Sequence, residues 1–258
     1  MKRTKINAKI EEYPSRFHAL LNSADLYDSS CSPQARVLFI DKDSGYYLKQ
    51  SKKGSLEQEA VMSQYLFKNG LGTEVLDYYS DHDDWLLTRR MSGEDCTHSD
   101  YLADPNRLCD LLAQQLYLLH SLDPTDCPIR HTEKYLKTAE ENYKRNLFDP
   151  SYSLLTFNNA KAAWMFIQRN KHLLQTDTLI HGDYCLPNIM LNQWSFSGFI
   201  DVGNGGVGDR HIDLFWGAWS LSFNLKTDRY RERFFEAYGK EHIHQELIDL
   251  ISVIEAFG

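Results

Sequence analysis

Residues 178–203, TLIHGDYCLPNIMLNQWSFSGFIDVG, constrain this chain more than any other stretch. Leu179 and Ile180 deliver His181, Gly182 and Asp183 into a turn. Asn188 follows Asp183 by five residues and opens a second apolar run, Ile189 to Leu191. After a polar break at 192–195, a third run from Phe196 to Ile200 delivers Asp201 and Gly203. Short apolar runs bounded by turn residues predict three short strands with acids or amides at their ends.

An Asp, an Asn five residues on, and a second Asp closing the next strand is the spacing of phosphoryl-transfer loops. In that chemistry one aspartate faces the attacking hydroxyl, while the amide and the other carboxylate hold magnesium against nucleotide phosphates. Asp183 is the candidate for the first role, Asn188 and Asp201 for the second.

The remaining chain supplies a setting for that stretch. Its 258 residues suit one large domain or two closely packed lobes. The net charge of −8 argues against nucleic acid and suits a cationic small molecule as well as plain solubility. No apolar run reaches membrane-spanning length, and the basic start has no apolar core of a signal peptide, so no membrane partner and a cytoplasmic location are expected. Five scattered cysteines without a CxxC pair argue against a disulfide framework or a zinc site.

Residues 1–25 read as partly helical, from Arg16, Phe17, Leu20 and Leu21. Strands are expected at about 35–40 and 46–50, joined at Asp43-Ser44-Gly45, and two more within 74–91, giving a sheet of about five strands. The small polar run Ser29 to Pro33, with Ser32, precedes them where a kinase would place its phosphate loop, but it carries no glycine. Ser55 and Gln58 form a capping-box pattern, and Gly70 closes the helix after them. On a helical wheel Leu56, Ala60, Met62, Leu66 and Phe67 share an apolar arc, with Glu59 near its middle. A carboxylate on a buried face needs a partner, and the preceding strand offers Lys49. That pairing is the kinase device for holding phosphates; a purely structural salt bridge is the alternative. The texture changes from β to helical near 88–93, which reads as a hinge. Asp104-Pro105 starts a helix with core stripe Leu108, Leu111, Leu112, Leu116 and Leu119, and further helices are expected at 132–148, 158–174, 209–221, 228–238 and from 241.

Taken together, HGDYCLPNIM, SGFIDVG and GVGDRHIDL resemble the signature segments of the aminoglycoside O-phosphotransferases, most closely the kanamycin and neomycin kinases, over nearly the whole chain. The resemblance implies an α+β, bilobal protein-kinase-like fold: an N-terminal lobe over 1–90 with an antiparallel sheet and one helix, and a larger, mainly helical lobe over 91–258. It implies transfer of a phosphoryl group from ATP or GTP, with Mg²⁺, to a hydroxyl of a cationic small molecule, by a monomer or weak dimer. Asp183 would orient the acceptor hydroxyl. Asn188 and Asp201 would bind magnesium. Lys49, partnered by Glu59, would hold phosphates, and Ser32 would lie in the loop over them. Tyr47 would stack on adenine, with Arg89 and Met91 at the hinge. His181 and Asp213 would brace the catalytic loop. Glu255 and Asp149 would meet the acceptor's ammonium groups. A kinase for a choline-like, amino-acid or sugar metabolite, and a nucleotide-binding pseudokinase, are the competing readings.

Departures from the resemblance cluster at the acceptor side. The segment DPSYSLLTFNN before the catalytic strand holds only Asp149 as an acid. The terminal VIEAFG has Ile254 where the family has aspartate, and Asn204 and Trp219 stand where the family has arginines.

Overall fold

The computed structural model describes residues 3–258. The chain forms two compact units, Met1–Asp95 with Ile189–Gly203, and Cys96–Asn188 with Asn204–Gly258.

The first unit is built on an antiparallel sheet of strands β1 (Thr4–Ile6), β2 (Asp25–Asp28), β3 (Ala35–Asp41), β4 (Tyr46–Lys52), β5 (Val75–Ser80) and β6 (Asp83–Arg89), in the order β1-β2-β3-β4-β6-β5. Alternation sorts its faces. Leu38, Ile40, Leu48, Trp85 and Leu87 turn to one side and bury Tyr13, Phe17 and Leu21 from the N-terminal segment. Each large side chain so buried contributes roughly 1.5–3 kcal/mol. Tyr47 and Lys49 lie on the opposite face of β4. The sheet has six strands rather than about five, because 1–25 is mostly not helical. It holds β1, short 3₁₀ turns and a single helical turn, His18–Leu21, and β1 extends the sheet through β2. A three-residue edge strand is too short to show alternation in sequence.

The helix Glu57–Lys68 crosses this unit. Gly70, at φ +71°, ends it in a Schellman pair: Gly70 N–H bonds Phe67 O at 3.0 Å and Leu71 N–H bonds Leu66 O at 2.9 Å. The expected Ser55 cap is not used, since its hydroxyl bonds Lys52 O. The buried Asp84 of β6 accepts from Leu56 N–H instead, at 3.0 Å, so a distant strand caps the helix. Phe67, placed in the apolar arc by periodicity, is exposed because it sits at the edge of that arc. A smaller sheet, β7 (Glu94–Asp95), β9 (Ile189–Asn192) and β10 (Ser195–Phe199), ordered β10-β9-β7, completes the unit.

In the second unit β8 (Thr178–Ile180) pairs antiparallel with β11 (Gly206–Gly208). Helix Pro105–His120 starts at Asp104, whose carboxylate accepts from Arg107 N–H, and buries Leu108, Leu112, Leu116 and Leu119; Leu111, at the margin of the stripe, is half-buried. The closing helix Gln245–Glu255 packs Leu247, Leu250, Val253 and Ile254 against Ala139, Ala163 and Ile167. Ile254 is therefore a core residue. Among the described residues no helix is long and apolar enough to cross a membrane.

Candidate active site

In the second unit β8 leads straight into the turn that carries Asp183. Gly182 has φ +81°, and a Cβ there would stand 1.9 Å from Asn204 O, so only glycine permits this approach. The following turn Leu186–Asn188 brings Asn188 back beneath Asp183. The Asn188 amide nitrogen donates to Asp183 O at 3.0 Å and to Asp183 Oδ2 at 2.9 Å. Both amide protons are thereby spent on Asp183, which leaves the amide oxygen of Asn188 as an acceptor for something else.

This loop hangs from one buried carboxylate. Asp213, fully buried in the first turn of helix His211–Leu225, accepts from His181 N–H at 2.7 Å and Gly182 N–H at 2.8 Å. The helix N-terminus favours a negative charge there. His120 Nε2 completes the set at 3.2 Å from Asp213, while its Nδ1 lies 2.8 Å from the Tyr238 hydroxyl. Burial holds the His120 imidazole below its usual range, so the ring is neutral: Nε2–H donates to Asp213, and Nδ1 accepts from Tyr238. His181, also buried, accepts from Asp183 N–H through Nδ1 at 3.3 Å. Cys185 stays a thiol, pushed up by burial and then by the neighbouring Asp183 charge.

Glu255 belongs to this unit as well. It accepts from Tyr135 O–H at 2.8 Å and Trp216 indole N–H at 3.1 Å. Burial pushes its carboxyl up to about 7; the two donors oppose that shift and the Asp183 charge adds to it. Asp149 is placed differently. It is exposed, and its carboxylate accepts from Ser151 N–H at 2.9 Å to start a 3₁₀ turn.

In the first unit Lys49 and Glu59 do meet. Lys49 Nζ lies 2.9 and 2.8 Å from the two Glu59 oxygens and 2.7 Å from Asp201 Oδ1. Asp201 sits at φ +55°, a left-handed conformation that asparagine and aspartate tolerate best. Burial disfavours the Lys49 ammonium, yet Glu59 and then Asp201 more than restore it, so its pKa rises. Glu59 is raised too, by burial first and by the like charge of Asp201, against the pull of Lys49. One ammonium facing two carboxylates leaves the cluster with a surplus negative charge.

Other expected nucleotide residues lie on the same unit. The Tyr47 ring packs 5.1 Å from Phe39, and its hydroxyl accepts from Arg3, whose guanidinium sits 3.7 Å over Phe39. Ser32 is exposed in the β2–β3 connection. The Arg89 side chain binds Glu74 at 2.7 Å, and its own N–H is taken by Glu74 O. Met91 packs its side chain against Gly198. Tyr135, Trp216 and the Asn204 carbonyl carry no signal in the sequence, because their contacts span turns and helices far apart in the chain.

A model of the phosphotransferase enzyme family (APH) matches residues 28–247. The chain is 48% identical over 264 residues to a probable aminoglycoside 3'-phosphotransferase of Lactococcus lactis, covering 100% of this chain and 99% of that protein. It is 30% identical over 175 residues to an aminoglycoside 3'-phosphotransferase of Niallia circulans, covering 66% and 67%. Among solved structures, an aminoglycoside-3'-phosphotransferase of type VIII superposes with TM-score 0.77 at 19% identity, covering 96% of both chains. APH(3'')-Id of Streptomyces rimosus, in complex with ADP and streptomycin, superposes with TM-score 0.72 at 21% identity, covering 86% and 90%. The α+β, kinase-like fold expected from the sequence is thus the fold of this chain, and the chain belongs to the phosphotransferase enzyme family.

Proposed function

We propose that this chain is an ATP-dependent kinase that phosphorylates a hydroxyl of an aminoglycoside of the kanamycin and neomycin class, and so confers resistance to it. The observation that carries the reading is the Asp183–Asn188 turn suspended from Asp213. A carboxylate on a turn whose His181 and Gly182 N–H groups are fixed by Asp213, with the Asn188 amide donating to it, is positioned to orient a nucleophile rather than to support the fold.

In this reading Asp183 accepts a hydrogen bond from the acceptor hydroxyl and takes its proton. The hydroxyl oxygen forms a bond to the γ-phosphorus as the bond from that phosphorus to the β–γ bridging oxygen breaks, and ADP leaves with the released electron pair. Lys49, fixed by Glu59, holds the phosphates, and Tyr47 with the Met91 main chain receives the base. His181 and Asp213 keep the turn rigid, and most of the acceleration is positioning and electrostatics. Residues 1–90 serve the nucleotide and 91–258 the acceptor, with Met91 and Asp201 returning to the nucleotide side.

Magnesium suits the donors present. The Asn188 amide oxygen and the half-exposed Asp201 carboxylate are hard oxygen ligands, and among the described residues no group of three His, Cys, Asp or Glu forms a ready-made cage. Such a sparse all-oxygen set is what magnesium accepts when nucleotide phosphates complete its shell. When bound, the ion neutralises charge on the β- and γ-phosphates. The protein works in the cytoplasm as a monomer or weak dimer.

The test is drug susceptibility in cells with and without the gene, across kanamycin, neomycin and their deoxy analogues. Resistance that fails only against analogues lacking one hydroxyl identifies that hydroxyl as the acceptor. Equal susceptibility with and without the expressed protein contradicts the proposal.

A further inference from the structure

The sheet face that carries Tyr47 and Lys49 in the first unit also carries a buried ring. Phe39 pairs with Tyr47 across β3 and β4 and with Tyr27 across β2 and β3, so all three rings turn to one side. Phe39 is only 2% exposed, yet it lies away from the core of Leu38, Ile40 and Leu48. Part of its cover comes from the N-terminal segment. The Arg3 guanidinium lies 3.7 Å over the Phe39 ring, and its Nη2 donates to the Tyr47 hydroxyl at 2.6 Å. Tyr47 is thus held at two points, its ring against Phe39 at 5.1 Å and its hydroxyl by Arg3, while the residue stays half-buried.

Stability alone is a poor account of this contact. Arg3 Nε is buried with no acceptor among the described residues, and an unanswered buried donor costs free energy. Arg3 also precedes β1, a three-residue strand at the edge of the sheet. What a guanidinium held flat there does fix is the direction of the Tyr47 ring. Tyr47 and Lys49 stand two residues apart on β4, roughly 7 Å along the strand and on the same face. The Lys49 ammonium is held in turn by both Glu59 oxygens. Ring and ammonium therefore form a pair of set spacing, one flat and apolar, the other cationic. A nucleotide's base and phosphates need those two surfaces.

We propose that Arg3 is a positioning residue for the nucleotide: it fixes the Tyr47 ring as the platform for the base, at a set distance from the ammonium that grips the phosphates. This rests on the ATP-dependent kinase reading above. Arg3 acts through Tyr47 rather than by touching the phosphates, so its loss weakens nucleotide binding and leaves the acceptor side alone.

Steady-state kinetics of the purified full chain with ATP and kanamycin test this through a double-mutant cycle of Arg3→Ala, Tyr47→Phe and the pair. Each single variant is expected to raise the ATP KM roughly 5-fold, as loss of one charge-assisted hydrogen bond would, with kcat and the kanamycin KM within about 2-fold of the parent. The pair is expected to stay at roughly 5-fold, because both changes remove the same contact. An unchanged ATP KM in Arg3→Ala overturns the proposal, as does a pair that reaches the roughly 25-fold of independent effects. A lower ATP KM in Arg3→Ala overturns it as well, since the side chain would then obstruct the base rather than seat its platform. So does a fall in kcat that matches the rise in KM, the mark of general damage. A parent chain that binds no ATP in calorimetric titration contradicts the underlying reading instead, and that is seen before any variant is compared.

Discussion

The two compact units treat their clustered acids in opposite ways. In the first, Glu59 and Asp201 compete for the single ammonium of Lys49, and surplus negative charge remains. In the second, Asp213 is fully buried and answered by two backbone N–H groups and a neutral imidazole. An under-compensated cluster can exchange partners when a cation and phosphates arrive. A saturated carboxylate cannot, and its value lies in holding two peptide groups still. In the proposed reaction the difference would separate residues that meet ligands from residues that position them.

The sharpest way to break this comparison is to move a residue from one class to the other. Asp183→Ala is expected to lower kcat by ~10³-fold or more, with nucleotide affinity nearly unchanged, because the proposed mechanism loses only its hydroxyl-orienting group. Stopped-flow turnover beside nucleotide titration reads both quantities, and retained turnover would place Asp183 outside the chemistry. Asp213→Ala should act on stability as well as rate. It strands the His181 and Gly182 N–H groups and His120 in the interior, at a cost of about 3–5 kcal/mol in urea unfolding. A loss below about 1 kcal/mol would mean that the carboxylate is not the brace the geometry implies.

Glu255 sharpens the comparison from a third position, buried yet raised. Its carboxyl lies near 7 in the folded chain against an ordinary 4.5, with burial the main cause. The folded form therefore keeps the proton to higher pH than the unfolded chain does. The stability this confers is full below about pH 4.5 and is lost as pH rises through about 7, an effect of about 3 kcal/mol. Glu255→Gln should erase that dependence, matching the parent at pH 4.5 and exceeding it at pH 8, while acceptor KM rises at pH 8. Parallel unfolding curves for parent and variant at both pH values would contradict it. The smallest expected effect belongs to Lys49→Arg. The charge survives, so stability should hold within about 1 kcal/mol, yet the compact ammonium that meets both Glu59 oxygens and Asp201 is lost. Nucleotide KM should rise roughly 10-fold, and an unchanged value would demote the cluster to a structural bridge.

What the sequence made legible follows the same division. Local pattern located the strands and the turn around Asp183, the Asp104 cap, and the Gly70 stop. Periodicity placed Glu59 on a buried face, and the cost of an unpaired carboxylate pointed to Lys49, now at 2.8 Å. Tertiary substitutions for local signals were not legible. Ser55 reads as a cap, but Asp84 performs the task from a neighbouring strand. Segment 1–25 has weak helical spacing, yet Phe17 and Leu21 are buried under a sheet that its own strand extends. Trp219 reads only as a missing arginine, and its place in an aromatic stack depends on Tyr152, which lies on a separate turn.

The central claim is phosphoryl transfer from ATP to an aminoglycoside hydroxyl. Mass analysis of kanamycin incubated with the purified chain, ATP and magnesium, with ADP release followed in the same samples, tests it most directly. Kanamycin should gain one phosphoryl group, formed in step with ADP. Tight ATP binding with unmodified kanamycin, neomycin and related acceptors would contradict it.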